Sequence, residues 1–229
     1  AYLRSYCEKK NLPLYVSVWE DPAKTAIETA ARNFRYQAFT RVMEEEQYDT
    51  LMTAHHGDDQ IETVLMKIIR GGQLSTFSGI KEVQPFATGR LVRPLLSFSK
   101  EELYAYAAES QLVYFEDQTN QLLDVQRNRL RHLVVPQLKQ ENTQVMRHFQ
   151  QFSQQIQWAD QVIQKCMGQL IEKEVEQLKD RFQFSAEMIE KMEEAERYYF
   201  FHSFFDKVFS ETGVILKEQQ MTSILEQWQ

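Results

Sequence analysis

A chain of 229 residues that is 43% hydrophobic can bury a real core, as one large domain or two small ones, yet its apolar runs stop short of the roughly 20 residues a membrane helix requires. No charged-then-apolar signal peptide opens it, and Cys7 and Cys166 are too few and too far apart for a disulfide framework or a Cys-x-x-Cys site, which suits a reducing cytoplasm. The formal net charge of −7 argues against indiscriminate nucleic-acid binding, although an uneven distribution leaves room for local basic patches.

In chain order, residues 2–10 read as the end of a helix and Leu14 to Trp19 as a strand, bounded by Pro13 and by Asp21-Pro22. A long helix follows from about Thr25 to Gln47. Its apolar face is marked by Ile27, Ala30, Ala31, Phe34, Ala38, Phe39 and Val42, while Arg32, Arg35 and Arg41 need solvent or an anionic partner. A short buried strand over 50–53 and a helix over 58–70 complete a helix-strand-helix-strand-helix order, which indicates a parallel sheet covered by helices, Rossmann-like in type. Gly71-Gly72 ends that helix, and Gln73 to Gly89 reads as a loop able to cover a site.

Arg90 to Leu96 reads as a further strand, and Ser99 as the cap of a helix that carries Glu101 and Glu102 in its first turn and runs to about Ser110. Leu112 to Phe115 is short and extended. Leu122 to His132 looks helical until Pro136 interrupts, and an amphipathic helix from about Thr143 to Ile171 turns Phe149, Phe152, Ile156, Val162 and Ile163 inward. Between residues 120 and 150 the charge is basic, with Arg127, Arg129, Arg131, Lys139 and Arg147 set against Asp124 and Glu141, so this stretch is the candidate for meeting an anion. Ile171 to Glu196 reverses the balance with nine acids against four bases. A short strand over Arg181 to Phe184 and two helices, roughly Ala186 to Thr212 and Lys217 to Trp228, close the chain. The rings from Tyr198 to Phe209 are too dense for a simple stripe and require a core or a partner surface.

The densest chemistry lies at Ala54-His55-His56-Gly57-Asp58-Asp59-Gln60-Ile61-Glu62-Thr63, where two imidazoles and three carboxylates stand between a strand's carboxyl end and a helix. In open α/β sheets ligands bind at that point. Asp58 and Asp59 suit the positive end of the helix dipole, and Asp59 and Glu62, three apart, share a face on which they could hold Mg²⁺ or an ammonium group. Helix capping by Asp58, with Glu62 completing a capping-box-like pair, explains one or two of the five groups and not all. A zinc site fits less well, because adjacent histidines diverge and the spacing matches no metalloprotease or cysteine-histidine pattern.

None of the seven glycines precedes Gly57, so a glycine-rich phosphate loop after an early strand is absent, and the first residues continue a helix without a cap. These features lead to the expectation that an amino-terminal segment is missing.

The strand-end cluster, together with Ala31-Arg32-Asn33-Phe34-Arg35-Tyr36, Arg93-Pro94-Leu95-Leu96, Glu116-Asp117-x-Thr119-Asn120 and Arg127-Asn128-Arg129-Leu130-Arg131, strongly resembles the tRNA(Ile)-lysidine synthetase family of N-type ATP pyrophosphatases, closely over about residues 25–140. The resemblance implies an α/β fold with a Rossmann-like parallel sheet, incomplete at its N-terminus and lacking the family's phosphate loop, followed by a mainly helical domain. Residues 1–142 would be the partial catalytic domain, 143–172 a linker helix and 173–229 a helical tRNA- or substrate-binding domain.

The implied activity is a ligase reaction. ATP is used to adenylate C2 of the wobble cytidine of tRNA(Ile) with a CAU anticodon, and the amine of free lysine then displaces AMP to give lysidine. ATP and Mg²⁺ are the implied cofactors, with no dedicated protein metal site. In the matching positions Asp59 and Glu62 would bind or steer the lysine amine and Arg35 its carboxylate. His55, His56 and Asp58 would shape the nucleotide pocket, and Arg93 would contact phosphates or the inserted cytidine. Arg70, Arg127, Asn128, Arg129 and Arg131 would meet tRNA, the three arginines of the last segment fanning round a helix end to grip phosphates. No membrane partner is implied, a homodimer is an open option, and the chain alone could lack activity. The rival enzyme of the same superfamily, a tRNA cytidine 2-thiolation protein, needs paired cysteines that Cys7 and Cys166 do not supply. A metal-dependent phosphohydrolase and a non-catalytic tRNA-binding fragment are the alternatives from other classes.

Overall fold

The computed structural model describes residues 2–20, 27–179, 181–209 and 218–227. Its contacts group the chain into two compact units, residues 1–59 with 81–113 and residues 60–80 with 114–229.

The first unit contains helices α1 (Tyr2–Lys10) and α2 (Ile27–Glu45), strand β1 (Thr50–Met52), the opening of α3 (Gly57–Arg70), strands β2 (Val83–Phe86) and β3 (Gly89–Val92), and α4 (Lys100–Glu109). The start of the expected helix at Thr25 lies outside the described residues. β1 runs parallel to β3 with Leu51 opposite Leu91, and β2 pairs antiparallel with β3 through a two-residue turn at Ala87-Thr88. The sheet is therefore mixed, in the order β1-β3-β2, rather than wholly parallel. The supposed loop from Gln73 to Gly89 supplies its antiparallel strand β2, as well as a 3₁₀ turn at Leu74–Ser78. Pro85 hid the strand: it lacks an N–H, but an edge strand tolerates that loss.

Leu14 to Trp19 forms no ladder. An apolar stretch becomes a strand only when another backbone takes its hydrogen bonds, and no described segment does so here; Val16 and Val18 are exposed, and Trp19 instead stacks on Phe34 at 5.9 Å. Leu112 to Phe115 likewise joins no ladder among the described residues. The strand expected over Arg90 to Leu96 ends at Val92, because residues 94–97 turn after Pro94. Ser99 caps α4 as expected: its hydroxyl accepts from Glu102 N–H, and the Glu102 carboxylate accepts from Ser99 N–H, a complete capping box.

The second unit holds the rest of α3, α5 (Gln126–Arg129), α6 (Val135–Glu141), α7 (Val145–Glu174), the small hairpin β4 (Glu176–Gln177) and β5 (Phe182–Gln183), and helices α8 (Ala186–Glu190), α9 (Glu194–Phe209) and α10 (Glu218–Glu226). Gly71, at φ 73°, ends α3 in the left-handed conformation that only glycine adopts without strain. Gly79, at φ 68°, is also required for space, since a Cβ there would lie 2.7 Å from the amide of Gln60. That buried amide donates to Ser153 Oγ on α7 at 2.6 Å and accepts from Ile80 N–H at 2.6 Å. It thereby ties α3, the turn after it and α7 together, while Ile61, Val135 and Val145 bury their side chains beside Phe149.

Pro136 does not interrupt the helix expected around Leu122 to His132. It sits in the first turn of α6, where its missing N–H is harmless, and the backbone before it widens into a π turn over Leu130–Val134, in which Val135 N–H reaches Leu130 carbonyl oxygen five residues back. On α7, Phe149 points inward, but Phe152 and Val162 face out. The inward position near Phe152 is taken by Ser153, which receives the Gln60 hydrogen bond, and a rotation of about 100° per residue carries Phe152 away. The aromatic run becomes core: Phe200, Phe201 and Phe204 are buried with Ile171, Ile189 and Met221. Each such side chain stabilises the unit by about 1.5–3 kcal/mol. The helix expected from Ala186 to Thr212 is broken at residues 191–193 into α8 and α9; its expected end lies outside the described residues, as do the first and last residues of the final helix.

Candidate functional site

The segment from Thr53 to Asp59 leaves the end of β1 and opens α3, as the sequence pattern requires. Thr53 Oγ1 lies 2.9 Å from His55 Nδ1. The helix start is held by His56 and Asp59: His56 N–H donates to Asp59 Oδ2 at 3.0 Å, and Asp59 N–H points to His56 Nδ1 at 3.4 Å. This is a capping box with imidazole in place of a hydroxyl, so the cap lies at His56 and Asp59 rather than at Asp58 and Glu62. Asp58, also buried, accepts from Lys100 N–H at 2.9 Å and so sets one carboxylate across the amino termini of α3 and α4. Backbone amides thus fix both carboxylates, and the His56 ring nitrogen Nε2 lies 3.5 Å from Asp59 Oδ2.

Arg93 follows β3 and is buried at 4% exposure. One terminal nitrogen donates to the Lys81 carbonyl and to Gln84 Oε1, and Nε has no acceptor among the described residues. A buried guanidinium without a carboxylate is costly unless an anion reaches it. Arg35 is exposed on α2, and neither it nor Arg93 bonds to the His55–Asp59 segment among the described residues.

In the second unit, Glu62 is fully buried and receives two guanidiniums. Arg127 Nε donates to Oε2 at 2.7 Å, while Arg131 grips the carboxylate with Nε to Oε1 at 2.7 Å and Nη2 to Oε2 at 3.0 Å. The basic segment therefore does not fan outward. Arg127 and Arg131, four apart, share one face and meet at Glu62. Asn128 is buried and donates to the carbonyls of Thr119 and Leu122, and Arg129 donates to those of Leu123 and Asp124, so these two hold the preceding loop. Arg70, at the end of α3, makes one long bond to Gln126 Oε1 at 3.4 Å. In that loop Asp117 accepts from both the hydroxyl and the backbone N–H of Thr119, which hold its carboxyl below the usual carboxylate range.

Sequence reasoning passed over Gln60, whose two buried hydrogen bonds order the turn after α3. Its position between two acids in the cluster drew attention to charge rather than to packing. Among the described residues no group of three or more His, Cys, Asp or Glu side chains is arranged to hold a metal ion, and no helix is long and apolar enough to cross a membrane. Cys7 and Cys166 are both free thiols.

Comparison with known proteins agrees with the motifs. A family model of the PP-loop domain matches residues 1–138. The chain is 46% identical over 225 residues to the tRNA(Ile)-lysidine synthase of Enterococcus faecalis (strain ATCC 700802 / V583), an alignment covering 98% of this chain and 49% of that protein. It is 50% identical over 157 residues to the tRNA(Ile)-lysidine synthase of Lactiplantibacillus plantarum, covering 68% of this chain and 35% of the relative, and 49% identical over 144 residues to that of Streptococcus equi subsp. zooepidemicus, covering 63% and 32%. The chain thus spans about half or less of the length of these relatives. None of these three carries the name of a thiolation enzyme, so that alternative is not favoured. With the strand-end acids, the buried Arg93 and a match over residues 1–138, the chain belongs to the PP-loop domain family and is a homologue of the tRNA(Ile)-lysidine synthases.

Proposed function

We propose that this chain carries the catalytic part of a cytoplasmic ligase that converts the wobble cytidine of tRNA(Ile) to lysidine. The observation that carries the reading is the pair of buried aspartates at the strand-to-helix junction in a chain 46% identical to a tRNA(Ile)-lysidine synthase. In this reaction C2 of the cytidine is activated at the expense of ATP, after which the amine of lysine forms the new C–N bond and AMP leaves.

Asp59 suits the ammonium form of lysine: it is a carboxylate whose position is fixed by the His56 N–H. Arg35, exposed on α2, suits the lysine carboxylate. His55, His56 and Asp58 would shape the nucleotide pocket. Arg93 fits a phosphate oxygen, since its buried guanidinium lacks an acceptor at Nε. Mg²⁺ ordinarily binds through one or two carboxylates together with substrate phosphates, so it would arrive with the nucleotide. Arg70, Asn128 and Arg129 border the proposed tRNA face, the last two by holding its loop. We retain residues 1–142, 143–172 and 173–229 as the proposed catalytic, linking and tRNA- or substrate-binding parts.

Incorporation of labelled lysine into a tRNA(Ile) transcript with a CAU anticodon, with and without ATP, tests the proposal. ATP-dependent labelling is expected once the chain is extended at its amino terminus with a phosphate-loop segment of the family. Binding of the transcript without labelling would favour a non-catalytic tRNA-binding role, and absence of both would remove the assignment.

A further inference from the structure

Arg93 comes directly after β3 and Thr53 directly after β1. The two strands are parallel with Met52 opposite Val92, so both residues stand at the carboxyl ends of the strands, where α/β sheets bind ligands. Thr53 N–H donates to the Val92 carbonyl at 3.1 Å, which closes the sheet up to that point. Because side chains alternate along a strand, Arg93 shares a face with Leu91 and, across the ladder, with Gln84 and Phe86. Leu91 is fully buried on that face, and Phe86 meets Tyr36 of α2 edge-on at 5.5 Å, so the guanidinium is held on a covered face.

Two hydrogen bonds hold it, both through Nη1: one to the Lys81 carbonyl and one to Gln84 Oε1 at 3.2 Å. Both acceptors are neutral. Glu82, which follows Lys81, accepts from Arg93 N–H at 2.8 Å through its backbone carbonyl and leaves its side chain exposed. An arginine keeps its charge at any ordinary pH, so the cheapest way to offset its burial is a carboxylate at the position of the Gln84 amide. Glutamate has nearly the same shape as glutamine and would pair with Arg93 where it stands. The amide instead fixes the guanidinium and leaves its charge in place.

We infer that Gln84 is a positioning residue for a polyphosphate: as a neutral acceptor it aligns Arg93 at the strand ends without cancelling the charge that an anion would meet. The inference rests on the proposed ATP-dependent function, in which Arg93 meets a phosphate oxygen, and deepens it by naming the group that sets the state of that cation.

The test measures binding of sodium pyrophosphate by calorimetry at constant ionic strength, with urea midpoints taken alongside, for the unsubstituted chain, Gln84→Glu, Gln84→Met and Arg93→Gln. The unsubstituted chain should bind, and Arg93→Gln should lose about tenfold or more in affinity. Gln84→Glu should lose as much while keeping its urea midpoint, because the new carboxylate takes the place of the anion. Gln84→Met, which keeps the length and removes the acceptor, should lose a smaller part, and it serves if Gln84→Glu folds poorly. A purely structural role for Gln84 gives lower midpoints in both variants with unchanged affinity; that result, or failure of the unsubstituted chain to bind pyrophosphate, would overturn the inference. In the chain extended with a phosphate-loop segment, Gln84→Glu should raise the KM for ATP in lysine incorporation by about tenfold with little change in kcat. If the unsubstituted extended chain labels no tRNA, the functional reading fails; if it labels tRNA and Gln84→Glu keeps its KM, the inference alone fails.

Discussion

Asp59 and Glu62 lie three residues apart on α3 and carry the same charge, but their surroundings treat that charge in opposite ways. Asp59 accepts from a backbone N–H at the start of a helix, where the helix dipole favours an anion, and has the His56 ring nitrogen Nε2 3.5 Å away. Glu62 accepts from two guanidiniums, and its charge is spent on them. Neighbouring carboxylates in one motif are therefore not interchangeable: a side chain's use is set by what already occupies its lone pairs.

Substitutions at the two positions should separate along these lines. The largest stability effect belongs to Glu62→Ala, which removes three hydrogen bonds to guanidiniums, leaves a buried void and should destabilise the fold by about 3–5 kcal/mol in urea unfolding. Recovery of most of that loss by adding Arg127→Gln and Arg131→Gln would identify the two cations as its cause. Asp59→Asn keeps the shape and should cost only about 1 kcal/mol of stability, but should reduce lysine transfer by roughly 10²-fold or more. Lysidine formation at the unsubstituted rate would remove Asp59 from the lysine site. Asp58→Ala should weaken the junction with α4 by about 1–2 kcal/mol through loss of the Lys100 bond, measured as a shift in the urea midpoint.

The smallest effect is a pH dependence at Asp117, an acid at the surface held by the backbone N–H and hydroxyl of Thr119. Its pKa is lowered from 3.8 in the folded chain, so it binds protons less readily there than when unfolded. Its contribution to stability is thus complete above about pH 4 to 5 and is lost as pH falls through the depressed folded value. Thr119→Val should flatten this part of the acid-unfolding curve; an unchanged curve would show that the Thr119 hydroxyl does not hold the charge.

Local chemistry made much of the chain readable. The Ser99 and Glu102 box, the glycine end of α3 and the strand-to-helix passage through His55 and Asp58 are set by residues within a turn of each other, and the structure places all three as expected. Cap geometry at α3 was less legible, because imidazole at His56 can stand in for the hydroxyl that usually marks such a position. Pro136 was misread for a related reason: proline breaks a helix interior but suits a first turn, and only the π turn before it shows which applies.

The sequence by itself determined the elements whose signals lie within a few residues, the acidic charge of the strand-end cluster, the basic segment around Arg127 and the family to which both belong. Tertiary structure decided everything that depends on a partner distant in the chain. Leu14 to Trp19 lacks a ladder because no described backbone pairs with it, β2 exists because β3 does, and Gln60 matters because Ser153 lies 93 residues away. The pairing of Glu62 with Arg127 and Arg131, across 65 and 69 residues, belongs to the same class. Spacing within a motif shows which side chains share a face, but hydrogen bonding and charge compensation are settled by whichever group folding brings within about 3 Å.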